Sequence, residues 1–171
     1  MSIRTLTTCI LAAGALLGGC ASVDSPGPGP VGPASSAFDI GDFGWSAQPG
    51  TASIEGQVRF SQEGRAFTCT GSAGLTPETP YTRARFQQLY GSTEGAAVPE
   101  AVVRARTVAD PNADYRTFVR STPCTGGSFR FAELPDGSWF VIVRVGAEGA
   151  QPTVLMRRVV TRGGRAVAIV L

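Results

Sequence analysis

The run from Ser138 to Val145 places Trp139, Val141, Val143 and Val145 on one face and Phe140 and Ile142 on the other. A strand that is apolar on both faces belongs inside a sheet covered from both sides. Any fold for these 171 residues must therefore put a layer of structure on each side of this segment. Shorter strand-like runs surround it. From Ala52 to Phe60, Ile54, Val58 and Phe60 alternate with Ser53, Glu55, Gln57 and Arg59, and Gly56 marks a bulge or a close backbone approach. Arg65 to Thr70 reads as a weaker strand after the Glu63-Gly64 turn. Ala101 to Val108 and Tyr115 to Ser121 read as strands joined by the turn residues Asp110-Pro111-Asn112. Ser128 to Ala132 follows Gly126-Gly127, and Thr153 to Thr161 with Arg165 to Leu171 flank Gly163-Gly164 as a hairpin.

One short helix is expected, over Thr82 to Leu89, with Phe86 and Leu89 three apart and Gly91 as its cap. The pattern as a whole is that of an all-β protein, an antiparallel β-sandwich of about seven strands.

The first residues have a different purpose. Arg4 precedes an apolar run from Leu6 to Leu17, the layout of an export signal. That run is well short of the ~20 residues a helix needs to cross a bilayer. Leu17-Gly18-Gly19-Cys20 then resembles the bacterial lipobox. The resemblance implies that residues 1–19 are a lipoprotein signal peptide and that Cys20 becomes the first residue, carrying acyl chains. Ala21 stands where the best-known inner-membrane retention signal has Asp, so the outer membrane, at its periplasmic face, is the expected location. Residues 20–43 carry Pro26-Gly27-Pro28-Gly29-Pro30 and read as a disordered tether, leaving 44–171 as the folded domain.

Gly127-Ser128-Phe129-Arg130-Phe131, followed by Leu134-Pro135-Asp136-Gly137-Ser138-Trp139-Phe140-Val141, resembles the carboxypeptidase regulatory-like domain. The opening strand with Gly56 ahead of Val58 resembles that family's first strand. The resemblance implies a transthyretin-like sandwich and covers most of Gly50 to Leu171. The segment from Thr76 to Glu100 departs from the family's short form. Such a fold does not by itself supply a function.

Composition narrows the chemistry. All fifteen basic residues are Arg, with thirteen acidic residues beside them and neither Lys nor His. A formal charge of +2 does not suggest a nucleic-acid binder. Without imidazole or ammonium groups there is no Ser–His or Cys–His nucleophile, no histidine metal ligand, no Schiff base and no P-loop lysine. The transthyretin-like hydroxyisourate hydrolases depend on histidines, so that activity does not carry over. No cofactor or metal is implied, and Asp110 to Asp114 lacks the spacing of a calcium loop.

Cys69 and Cys124 remain once Cys9 leaves with the signal and Cys20 is acylated, and an exported pair favours a disulfide. Arg83 and Arg85, with Tyr81 and Tyr90 as stacking surfaces, are candidates for an anionic ligand, or else form an exposed helix face interrupted by core aromatics. Arg157, Arg158, Arg162 and Arg165 face either an anionic polymer or lipid, or protect a sheet edge. The leading expectation is a membrane-anchored, non-enzymatic interaction or scaffolding module, with an envelope protein or cell-wall polymer as partner. A carbohydrate- or small-ligand-binding module is the alternative, and a hydrolase built on two carboxylates is a third reading.

Overall fold

A computed structural model describes residues 37–106, 108 and 113–171. The expected signal peptide, Cys20, the tether up to residue 36 and the turn at Asp110-Pro111-Asn112 lie outside the described residues.

A 3-10 helix, Ile40–Ala47, precedes β1 (Ala52–Gln57), β2 (Ser61–Gln62), β3 (Arg65–Ala66) and β4 (Thr68–Pro77). Helix α1 (Pro80–Tyr90), β5 (Gly95–Pro99) and helix α2 (Glu100–Ala105) follow. A second 3-10 helix, Ala113–Phe118, leads into β6 (Arg120–Pro123) and β7 (Ser128–Leu134). The chain ends with β8 (Gly137–Gly146), β9 (Thr153–Thr161) and β10 (Ala166–Val170).

These strands form an all-β sandwich. The larger sheet has the order β5-β9-β8-β4-β6 and the smaller one β10-β1-β7, with β2 and β3 forming a small separate ribbon. As its two apolar faces require, β8 lies inside the larger sheet, paired with β4 and β9. Trp139, Val141, Val143 and Val145 are fully buried between the sheets, against Ile54, Phe129, Phe131 and Leu134 of the smaller sheet. The opposite face of β8 is covered by α1, whose Phe86 meets Phe140 edge-on at 4.7 Å between ring centres.

Helix α1 begins where Thr79 caps it. The Thr79 hydroxyl accepts from the Thr82 amide and the Thr82 hydroxyl accepts from the Thr79 amide, with Pro80 in the first turn. Gly91 ends the helix at φ 77°, the left-handed conformation that favours glycine there.

The disulfide joins Cys69 to Cys124, with 5.8 Å between the Cα atoms. It ties β4 to the point where the chain leaves β6 in the larger sheet for β7 in the smaller one. Gly56 is a close approach: a side chain there would meet the Phe129 ring.

Several expectations are corrected. Ala101 to Val108 is no strand, because Glu100–Ala105 is helical. Glu, Ala and Arg are good helix formers, Glu100 pairs with Arg104 one turn on, and Val102 is 41% exposed, so no core face holds the segment extended. Tyr115 to Phe118 is likewise helical, and strand begins only at Arg120. Among the described residues there are thus two α-helices and two 3-10 helices rather than one short helix.

The last two strands are not a hairpin. β10 crosses to the smaller sheet and pairs with β1 in parallel, Ile54 opposite Val167 and Gly56 opposite Ile169. Asp136 carboxylate oxygens accept from the Gly163 and Gly164 amides and hold the turn that sends the chain across. Finally, the folded part reaches back before residue 44. Phe43 is fully buried, packed with Phe38, Tyr81, Tyr115 and Phe118, so the C-terminal end of the expected tether belongs to the domain.

Candidate functional site

The outer face of β4 carries Ser72, Gly74 and Thr76, alternating with the inward Ala73 and Leu75. With so little side chain on Ser72 and Gly74, the sheet surface there is low. Walls rise on either side of it: Phe86, Leu89 and Tyr90 of α1, and Tyr115, Arg116 and Val119 across from them. Ile142, Arg144 and Val154 complete the floor and its far end. The resulting cleft has a volume of about 600 Å³, a size suited to a small ligand or one or two sugar rings.

Aromatic rings and guanidinium groups set its chemistry. The Arg85 guanidinium stands 5.6 Å from the centre of the Tyr115 ring. Burial, with the neighbouring Tyr115 as a smaller cause, pushes the Tyr90 phenol up to about 12, so it remains a neutral hydroxyl at ordinary pH. Arg144 donates to Glu100 at 2.7 Å and to the Thr70 hydroxyl at 2.9 Å, which fixes its plane while leaving the side chain 45% exposed. Hydrogen bonds from Arg104 and then Arg144 lower the pKa of the Glu100 carboxyl. Arg116 is exposed at the rim. Among the described residues, no Asp or Glu lines the cleft.

The sequence candidates separate in the structure. Arg85 and Tyr90 come together around Tyr115. Arg83 turns instead to Glu78, which also accepts from Arg158 at 2.5 Å. Tyr81 is buried in the aromatic cluster, 5.6 Å between ring centres from both Phe38 and Tyr115. Tyr115, Arg116 and Arg144 were not among those candidates. Arg144 carried a signal, being the one charged residue within the apolar run of the central strand. Tyr115 carried none, because its segment reads as a strand.

Of the terminal arginines, Arg157 donates to the Val170 carbonyl at 2.8 Å, a contact that covers part of the β10 edge. A second depression lies on the outer face of the smaller sheet, lined by Glu55, Gln57, Ser128 and Arg130. Its charges pair with each other, Arg130 with Glu55 at 3.6 Å, and no aromatic ring stands exposed beside them. Among the described residues there is no group of three or more His, Cys, Asp or Glu able to hold a metal ion. No helix among them is long and apolar enough to cross a membrane.

No family model matches the chain, and no curated protein sequence is similar to it. A solved structure from Pseudomonas aeruginosa, described as that of a proposed carbohydrate-binding protein, is similar in fold, with a TM-score of 0.56. At 18% identity the likeness spans 78% of this chain and 96% of that one. It is a likeness of sandwich architecture.

Proposed function

We propose that this chain is a lipid-anchored cell-envelope protein whose sandwich binds a carbohydrate in the cleft beneath α1. The observation that carries the reading is the cleft itself. Tyr90, with the buried Tyr115 behind it, lines the cleft with aromatic surface for the apolar side of a sugar, while Arg116, Arg144 and Ser72 place polar groups around it. The neighbour from Pseudomonas aeruginosa, described as a proposed carbohydrate-binding protein, supports the same choice. Of the two readings foremost in the sequence, a scaffold has no use for such a cleft and a binding module needs one.

The proposal is of binding without catalysis, in keeping with a sequence that has neither His nor Lys. The anchor rests on the lipobox-like Leu17-Gly18-Gly19-Cys20, with the outer membrane as the proposed location from Ala21. Two or more acyl chains would hold the protein at the surface, since each buried methylene contributes about 0.8 kcal/mol. The proposed kinship of the sandwich is with the carboxypeptidase regulatory-like domain, on the strength of the Gly127 to Phe131 and Leu134 to Val141 motifs.

The test is binding of the full chain to cell-envelope oligosaccharides, measured by calorimetry. Tyr90→Ala should weaken binding at least about tenfold, a loss of ~1.4 kcal/mol. Unchanged affinity in that variant would contradict the cleft as the site. Separately, Cys20→Ser should abolish incorporation of labelled palmitate. Equal labelling of that variant would remove the anchor.

A further inference from the structure

We infer that Gly74 sets the depth of the cleft beneath α1, and that a sugar ring bound there rests on the bare backbone of β4; this rests on the carbohydrate-binding reading above. A glycine inside a strand weakens it, because it brings no side chain to pack and loses more chain freedom on folding than any other residue. Such a glycine belongs at a bulge, at a left-handed turn, or where another group of the protein or a ligand comes close.

The fold explains other glycines in these ways and leaves Gly74 unexplained. Gly71 takes φ 97°, in the left-handed region, within the stretch from Cys69 to Ala73 where the pairing of β4 with β8 shifts register. Gly56 yields its place to the Phe129 ring. At Gly74 the pairing is regular on both sides, opposite Ile142 of β8 and Ser121 of β6, and φ lies outside the left-handed region. Among the described residues, a Cβ placed there would meet within 4 Å the Ile142 carbonyl oxygen alone, at 3.8 Å, which is an ordinary contact. Neither the backbone nor the packing of these residues requires glycine.

The open space is the bottom of the cleft. Ala73 and Leu75 face the core, so a side chain at position 74 would point the other way, into the cavity beside Leu89 and Tyr90. Helix α1 covers the sheet nearby, Phe86 against Phe140, and leaves the surface over Gly74 clear. A β-branched residue suits a strand better and would raise that floor. What the glycine preserves is room, and the occupant that uses the room is the ligand. Its ring then touches the strand itself as well as the aromatic wall.

The experiment measures folding and binding on the same variants of the full chain. Gly74→Ala adds the one carbon that the packing accommodates, so its urea-denaturation midpoint should equal or exceed that of the unsubstituted protein. Its affinity for cell-envelope oligosaccharides, measured by calorimetry, should nevertheless fall several-fold, and that of Gly74→Val about tenfold or more. Unchanged affinity in both variants, with the loss in Tyr90→Ala intact, overturns the inference and leaves the carbohydrate reading standing. A lowered midpoint in Gly74→Ala also overturns it, since the fold itself would then need the glycine. If no oligosaccharide binds the unsubstituted protein, the carbohydrate reading fails and the inference fails with it.

Discussion

The ring of Phe129 stands directly over Gly56, its pairing partner across β1 and β7, so that a methyl group on Gly56 would lie 1.9 Å from the ring's Cζ. No flexible chain end is available to yield, because Phe129 is part of the core between the sheets. Gly56→Ala should therefore destabilise the fold by roughly 1–3 kcal/mol through overpacking. Chemical denaturation of the two proteins checks this, and an unchanged midpoint would show that the ring moves aside freely.

Thr161 ties the corner of the sandwich together. Its side chain is fully buried; the hydroxyl accepts from the Trp139 indole at 3.2 Å and from the Gly137 amide at 3.1 Å, and donates to the Pro135 carbonyl at 2.8 Å. Thr161→Val keeps the shape and leaves these groups unpaired, so it should cost about 1–3 kcal/mol. Thr161→Ser keeps the hydroxyl and should recover most of that loss. Equal denaturation midpoints for the valine and serine variants would contradict the hydrogen-bonding role.

The Cys69–Cys124 bridge spans 55 residues of sequence. On the chain-entropy account, closing a loop of that size contributes roughly 4 kcal/mol by constraining the unfolded state. The double variant Cys69→Ala with Cys124→Ala should lose stability of that order and still fold, since the core between the sheets is independent of the bridge. Denaturation with and without reductant measures it. Two freely alkylatable thiols in the oxidised protein, assayed in denaturant, would contradict the pairing.

Alkaline pH should act on Tyr90. Its folded pKa of about 12 lies above the ordinary value of 10.0, so the neutral phenol is favoured by folding. That contribution is fully present below pH ~10 and is lost as the pH rises toward about 12. Tyr90→Phe should lessen the fall in stability across this window and remove the late step from the phenolate absorbance titration. If the step removed by the substitution lies near the ordinary tyrosine value, the burial of Tyr90 is contradicted.

Local pattern accounts for what could be read directly. The two apolar faces of β8 come from period two within one segment, and Gly91 ends α1 because a left-handed residue is needed there. The cysteine pairing follows from an export signal and a count. The path of β10 was hidden because Gly163-Gly164 suits a hairpin equally well. What decides it is Asp136, 27 residues earlier, holding the Gly163 amide. α2 was hidden because Val102 and Val103 favour a strand, while Glu100, whose pairing with Arg104 one turn on suits a helix, lies just outside the expected segment. The cleft was half legible for the reason that hid the path of β10. Arg85 and Tyr90 share one helix with the other candidates, whereas Tyr115 and Arg144 arrive from distant elements that only the finished fold brings together.

The most direct test of the cleft as a carbohydrate site is a two-dimensional amide NMR titration of the protein with the tightest-binding of the cell-envelope oligosaccharides. The account predicts that shifts concentrate at Gly74, Tyr90, Tyr115, Arg116 and Arg144, with the smaller sheet undisturbed. Shifts centred instead on Glu55, Gln57 and Arg130 would move the site to the other face of the sandwich and contradict it.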